Sequence, residues 1–290
     1  MSRIRTVAVL PTLFTLGNLV CGFFAIVVAS RVDLPTRAET PTSIRIGTAN
    51  PVKAIRALYP DDPAHNIMLS GWLIFLAMIF DALDGHVARL AQTSSDFGAQ
   101  LDSLCDLVTF GVAPAYLLVK MCPSFAYLHK EAVWVIAASF AACAALRLAR
   151  FNVESGEDDD HLNFSGLPSP AAAASIASFG LLFYKLRVDD AALAYASQID
   201  RVVQNVLPFF AVLVAVLMVS RIPYPHVVNQ VFRGQRSLGH VVALIFALVA
   251  LMVVPGYSVP LVCTLFVLVG PVRYIWQETI QRRPHKEPLF

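Results

Sequence analysis

Four aspartates are the residues of this chain best suited to chemistry. They stand in two pairs within DALDGHVARLAQTSSDFGAQLDSLCD (81–106): Asp81 and Asp84 three residues apart, Asp102 and Asp106 four apart. On a helix, positions three and four apart are neighbours, so each pair lies on one face if its segment is helical. Asp81, Asp84, Gly85 and Ala88 share one such face, and Gly98, Asp102 and Asp106 form a similar stripe. The small residues leave room for a ligand. Asp96 belongs to neither pair and falls in the expected turn between them. Apolar sequence lies on both sides, GWLIFLAMIF before and LVTFGVAPAYLLV after. Carboxylates in such surroundings cost on the order of several kcal/mol each unless partnered. One acid pair has an alternative partner in Arg89 or Arg147. Four acids with small residues on the matching faces point instead to one or two divalent cations, which take carboxylate and phosphate oxygens together. Two such ions can clamp a pyrophosphate and neutralise a leaving phosphate. Arg89, one turn after Gly85, can add positive charge, and a carboxylate can take the proton of an incoming hydroxyl.

The elements that must hold these acids are membrane helices. The chain has 290 residues, 57% hydrophobic and 14% charged, whereas a soluble domain has roughly 45–50% apolar and about 25% charged residues. The expected fold class is all-α, a polytopic integral membrane protein with about eight transmembrane helices in one bundle. The first span lies within MSRIRTVAVLPTLFTLGNLVCGFFAIVVAS. The others are placed at 67–90, 99–120, 132–150, 169–186, 205–222, 239–256 and 257–277, the last two divided by a tight turn at Pro255 and Gly256. The charged start and the VVAS ending of the first segment suit a cleaved leader. Its apolar run is long for one, however, and is interrupted by Pro11, Gly17 and Asn18, so a retained span is expected. The whole of 1–290 reads as a single membrane-embedded domain with a polar loop insertion at 31–65 and a polar tail at 277–290. PVKAIRALY within the loop has the pattern of a short surface helix.

Net charge is only +2, so no nucleic acid or other global polyanion partner is implied. Five cysteines without paired spacing read as small core residues. With both termini cytoplasmic, twelve of the 22 Lys and Arg face the cytoplasm, and five of the other ten lie in the 31–65 loop. That orientation places the acids near the cytoplasmic ends of the second and third spans. The expected location is therefore the cell (inner) membrane, with the active site facing the cytoplasm. The acidic run Glu154–Asp160 reads as a solvated face. ALRLARFN (145–152) closes the fourth span and NFSGLPSPAAAA (163–174) opens the fifth, where Pro168 and Pro170 suit a helix start. Arg147 and Arg150 there are either snorkelling anchors or anion ligands.

The acidic stretch follows D-x-x-D-G-x-x-A-R-x(8)-G-x-x-x-D-x-x-x-D, with Asp81, Asp84, Gly85, Ala88, Arg89, Gly98, Asp102 and Asp106 at the fixed positions. In this it resembles the CDP-alcohol phosphotransferases. The resemblance implies transfer of a phosphoryl-alcohol group from a CDP-linked donor to an alcohol, with release of CMP. It implies two ions per site, Mg2+ or Mn2+. Asp81, Asp84 and Asp102 would hold one, and Asp81, Asp102 and Asp106 the other, with Asp106 as the catalytic general base. Asp84, Gly85, Ala88, Arg89 and Gly98 would line the CDP moiety. Three further stretches, PTLFTLGNLVCGFFAI, LDSLCDLVTFGVAP and ALRLARFN with FSGLPSP, are similar to the phosphatidylserine synthase branch. That similarity implies CDP-diacylglycerol and serine as substrates, with Arg147 and Arg150 as acceptor-binding candidates on charge alone. A homodimer in the lipid bilayer is also implied. The 31–65 loop departs from the compact members of the family.

Rival readings stay open on sequence alone. Another acceptor, glycerol 3-phosphate or inositol phosphate, would ask for a stronger basic pocket. An integral-membrane prenyltransferase also uses Asp-rich motifs, but the G-x-x-A-R and G-x-x-x-D-x-x-x-D spacings argue against it. A divalent cation transporter would spread acids over more helices, whereas the spans after the third contain almost none.

Overall fold

The computed structural model describes residues 9–32, 62–91, 96–154, 166–190, 195–224 and 252–279, and these are all-α. Helix α1 is Val9–Ser30 and α2 is Pro63–Ala91. The third span is compound: α3 (Asp96–Asp106), a π-helical segment (Leu107–Val112), then α4 (Ala113–Met121). A short α5 (Pro123–Leu128) leads into α6 (Lys130–Glu154). Helix α7 (Ser169–Tyr184) continues as a π segment to Asp189, and α8 (Ala196–Val219) and α9 (Pro255–Thr279) follow. Among the described residues, seven helical stretches are long and apolar enough to cross a bilayer. The chain is thus an integral membrane protein. The expected span at 239–256 and the 31–65 loop with its PVKAIRALY segment fall almost wholly outside the described residues, as does most of the acidic run after Glu154.

Helix starts depart from the hydropathy reading where a polar group caps the helix. Helix α2 begins at Pro63 rather than at 67, because the Asp62 carboxylate accepts from the Ala64 backbone N–H at 3.1 Å. Asp before Pro is a favoured helix opening. Helix α8 begins at Ala196 rather than at 205. Its first turns are polar but paired: Asp200 accepts from Arg187 Nε at 2.8 Å and from Gln204 Nε2 at 2.7 Å, while Gln204 Oε1 accepts from the Ser124 N–H at 2.9 Å. Asp96, expected in a turn, is the first residue of α3. Pro255 opens α9, as the expected break there requires.

The compound third span is the most buried of the seven and forms the axis of the bundle. Phe110, Leu117, Leu118 and Met121 from it pack with Ile67 and Ile74 of α2, Phe140 of α6, Ile176 and Phe183 of α7, and Leu207 and Met218 of α8, all essentially without solvent contact. Large apolar side chains also cover the outside: Phe24, Ile79, Val135, Phe209, Val262 and Ile275 are exposed. A soluble monomer does not carry such continuous apolar surface; a lipid-facing bundle must.

The two ends of the bundle differ. The end holding Lys120, Ser124, Lys185, Arg187, Asp200 and Tyr257 is closed by polar ties. Lys120 Nζ donates to the Val32 carbonyl at 2.6 Å, Lys185 pairs with Asp189 at 3.2 Å, and Tyr257 Oη donates to Asp190 at 2.5 Å. The opposite end carries the acids. Midway along the bundle α1 and the third span approach so closely that a Cβ on Gly22 would fall into the Thr109 hydroxyl and lie 2.8 Å from the Thr109 Cα. Gly22→Ala therefore forces the two helices apart. Overpacking of this kind costs about 1–3 kcal/mol, and a lower thermal unfolding midpoint in detergent is the expected outcome; an unchanged midpoint would mean that this contact does not fix the spacing.

Candidate metal and phosphate centre

The acids come from two helices. Asp81 and Asp84 lie on α2, about two to three turns before its end at Ala91. Asp102 and Asp106 lie on α3, the latter at the junction with the π segment. A π turn is wider than an α turn and is common beside functional residues. The two helices bring carboxylate oxygens of Asp81, Asp102 and Asp106 within 4.8 Å of one another. Asp84 lies outside that trio of nearest oxygens but within electrostatic range of Asp81, Asp102 and Asp106. Asp84 and Asp106 are buried, at 5% and 8% exposure.

Like charges this close need a counter-charge. Two carboxylates about 4 Å apart repel by about 4 kcal/mol at an effective dielectric of about 20. Arg147 lies within electrostatic range of Asp106 and Asp81, but its Nη1 donates to Ser169 Oγ at 2.6 Å. Among the described residues no ion pair joins Arg147 to any of the four acids. Among the described residues, Asp84 Oδ2 and Asp102 Oδ1 are buried without a hydrogen-bond partner. Clustered oxygens under 4.8 Å apart, with unpartnered acceptors beside them, fit a hard divalent cation, whose oxygen ligands stand at about 2.0–2.6 Å.

The other expected site residues are placed as follows. Among the described residues, a Cβ built on Gly85 meets no atom within 4 Å. Ala88 and Arg89 lie in the last turns of α2, and Gly98 in the first turn of α3; the side chains of residues 88–90 are outside the described set. Arg150 donates from Nη1 to the Val219 carbonyl at 2.9 Å and from Nη2 to the Ser220 carbonyl at 3.5 Å, tying α6 to the end of α8. Next to it Gly166 adopts a φ of +91°, with the positions a Cβ would take only 2.7 Å from the Met218 and Ser220 carbonyls. The loop entering α7 is thus laid against the end of α8, with Leu167 N–H donating to the Leu217 carbonyl at 3.0 Å. Ser103 Oγ meets Asn152 Oδ1 at 3.1 Å and joins α3 to α6 at the same end.

Sequence reasoning missed two groups on α1. Asn18 Nδ2 donates to Asp106 Oδ1 at 2.9 Å, and Thr15, whose hydroxyl donates to the Pro11 carbonyl at 3.1 Å, neighbours Asp84. The available signal was their spacing, three apart in a mostly apolar span, since polar groups inside a membrane helix are costly without a purpose.

Comparison with known proteins bears on this geometry. The family description "CDP-alcohol phosphatidyltransferase" matches residues 8–217. The chain is 35% identical over 206 residues to a CDP-diacylglycerol–serine O-phosphatidyltransferase of Methanocaldococcus jannaschii, covering 70% of this chain and 83% of that protein. It is 36% identical to the protein of the same description from Helicobacter pylori, over 56% of this chain and 63% of the relative. It is 37% identical to an archaetidylserine synthase of Methanothermobacter thermautotrophicus, over 53% of this chain and 57% of the relative.

If the cluster binds a divalent ion, Asp81→Asn and Asp102→Asn each remove a carboxylate from its centre. The expected outcome is loss of Mn2+ binding by the purified chain in detergent, read by electron paramagnetic resonance of the free ion. Unchanged Mn2+ affinity in both variants would exclude these residues as ligands.

Proposed function

The chain belongs to the CDP-alcohol phosphatidyltransferase family, and on that footing we propose that it transfers a phosphatidyl group from CDP-diacylglycerol to the hydroxyl of L-serine, giving phosphatidylserine and CMP. The observation that carries the reaction is the convergence of Asp81, Asp102 and Asp106 beside buried Asp84 at one end of a membrane bundle. The similarity to serine-using relatives supports the acceptor.

Asp81, Asp84 and Asp102 would hold one divalent ion, and Asp81, Asp102 and Asp106 a second. Bound there, the ions would neutralise the pyrophosphate of the donor and the charge gathering on departing CMP. Asp84, Gly85, Ala88, Arg89 and Gly98 line the path of the CDP moiety, and the space at Gly85 among the described residues suits that role. Asp106 takes the proton of the serine hydroxyl. The serine oxygen then forms a bond to the phosphorus that carries the diacylglycerol. The bond from that phosphorus to the oxygen of CMP breaks, and CMP leaves with its electron pair. Arg147 is the better placed of the two arginines to receive the serine carboxylate, being within range of Asp106. The hydrogen bonds of Arg150 to the Val219 and Ser220 carbonyls support a mainly architectural role for that residue. The site end faces the cytoplasm in this reading, and the protein acts as a homodimer.

CMP release by the purified protein in detergent tests the proposal. CDP-diacylglycerol and Mn2+ are supplied with serine, glycerol 3-phosphate or inositol phosphate in turn. Serine-dependent release abolished by a chelator is expected, and release with only another alcohol would overturn the acceptor. Because one relative is an archaetidylserine synthase, a CDP-linked ether lipid is run in parallel, and its exclusive use would overturn the diacyl donor. In the same assay Arg147→Gln should raise the KM for serine more than that for the CDP-lipid. Loss of a charged hydrogen bond is worth about 1.5–3 kcal/mol, or about 10- to 150-fold; an unchanged serine KM removes Arg147 from the acceptor site.

A further inference from the structure

Helix α1 carries none of the acids, yet it donates to one of them and sets a hydroxyl near another. Asn18 is fully buried, and its Nδ2 donates to Asp106 Oδ1 at 2.9 Å. Thr15 is 6% exposed and stands one turn earlier on the same face. Its hydroxyl donates to the Pro11 carbonyl at 3.1 Å and has the Asp84 carboxylate as a neighbour. A hydroxyl has one proton to give, and an ionised acceptor makes the stronger bond. Asn18 has no solvent exposure, so it acts on the reaction only through Asp106. The helix that holds both donors is itself fixed: Thr109 Oγ1 donates to the Asn18 carbonyl at 3.2 Å, and Gly22 packs directly on Thr109. The same clamp sets Asn18 against the span that carries Asp102 and Asp106. Among the described residues, Asp84 Oδ2 has no partner.

We propose that Thr15 and Asn18 are positioning residues of the acidic centre: each fixes the rotamer of one carboxylate, Asp84 or Asp106, so that its second oxygen faces the divalent ions or the proton of the acceptor. The inference rests on the reaction proposed above. A partner that orients a metal-ligating group lowers the ligand's freedom to turn away.

The test uses the full chain in detergent with three variants. Asn18→Leu keeps the approximate shape and removes the amide. Thr15→Val is isosteric without the hydroxyl, and Thr15→Ser retains it. Mn2+ affinity is measured without substrate, by electron paramagnetic resonance, and kcat and KM are measured for CMP release. Loss of such a partner costs about 10- to 100-fold in metal affinity or activity, so Asn18→Leu and Thr15→Val should weaken Mn2+ binding and lower kcat within that range. The KM for the CDP-lipid should stay close to that of the unaltered protein, and Thr15→Ser should recover most of the loss. Unaltered Mn2+ affinity and kcat in both Asn18→Leu and Thr15→Val would overturn the proposal. So would a fall in kcat that follows a lowered melting midpoint of the metal-free protein while Mn2+ affinity is kept. The Mn2+ measurement needs no turnover. If the unaltered protein binds Mn2+ but releases no CMP, the proposed reaction fails, and the positioning role is still judged by Mn2+ affinity.

Discussion

Concentrating four carboxylates at one end of an apolar bundle is the constraint on which the rest of this structure depends. Desolvation and mutual repulsion both oppose it, and each amounts to several kcal/mol. No single helix can supply enough compensation. Two acids come from α2 and two from α3, and a third helix, α1, brings an amide donor to Asp106 and a hydroxyl near Asp84. The remaining deficit, the unpartnered oxygens of Asp84 and Asp102, is what a bound cation would remove. The site therefore exists only when three helices are held in register, which is a requirement on the whole bundle.

The packing meets that requirement in two ways. Close backbone approach at Gly22 sets the distance between α1 and the third span. At the far end, Arg187, Asp200, Gln204 and Ser124 join α7, α8 and the start of α5, all by hydrogen bonds that need correct registration. These polar ties stand at the opposite end from the acids, and a second set, Arg150 to the Val219 and Ser220 carbonyls and Ser103 to Asn152, fastens the acid end.

The acids, the membrane class and most spans were legible in the sequence because their signals are local. Asp81 to Asp106 form one short stretch, and an apolar run of about 20 residues reads directly as a span. The start of α8 was not legible, because a hydropathy window counts Asp200 and Gln204 as polar and cannot see that Arg187 and Ser124 satisfy them. Asn18 read only as an interruption of an apolar run, since its partner Asp106 is 88 residues away in sequence. Arg150 is similar: a cation at a helix end reads as an anchor or an anion ligand, and only the fold reveals the Val219 and Ser220 carbonyls beside it. Local chemistry was readable; pairing across the fold was not.

The π segment at Leu107–Val112 divides the central span into two parts with separate angular phase. Each α-helical residue turns the chain by about 100°, and the wider turn absorbs a residue that a continuous α-helix would have to accommodate by rotating one half against the other. The acids of α3 can therefore face α2 while Leu117, Leu118 and Met121 of α4 face the core. Removing one residue from this segment would restore a regular helix and swing Asp102 and Asp106 away from Asp81, although every side chain of the site would still be present. The number of residues in this segment thus sets the angle at which the acids of α3 meet α2.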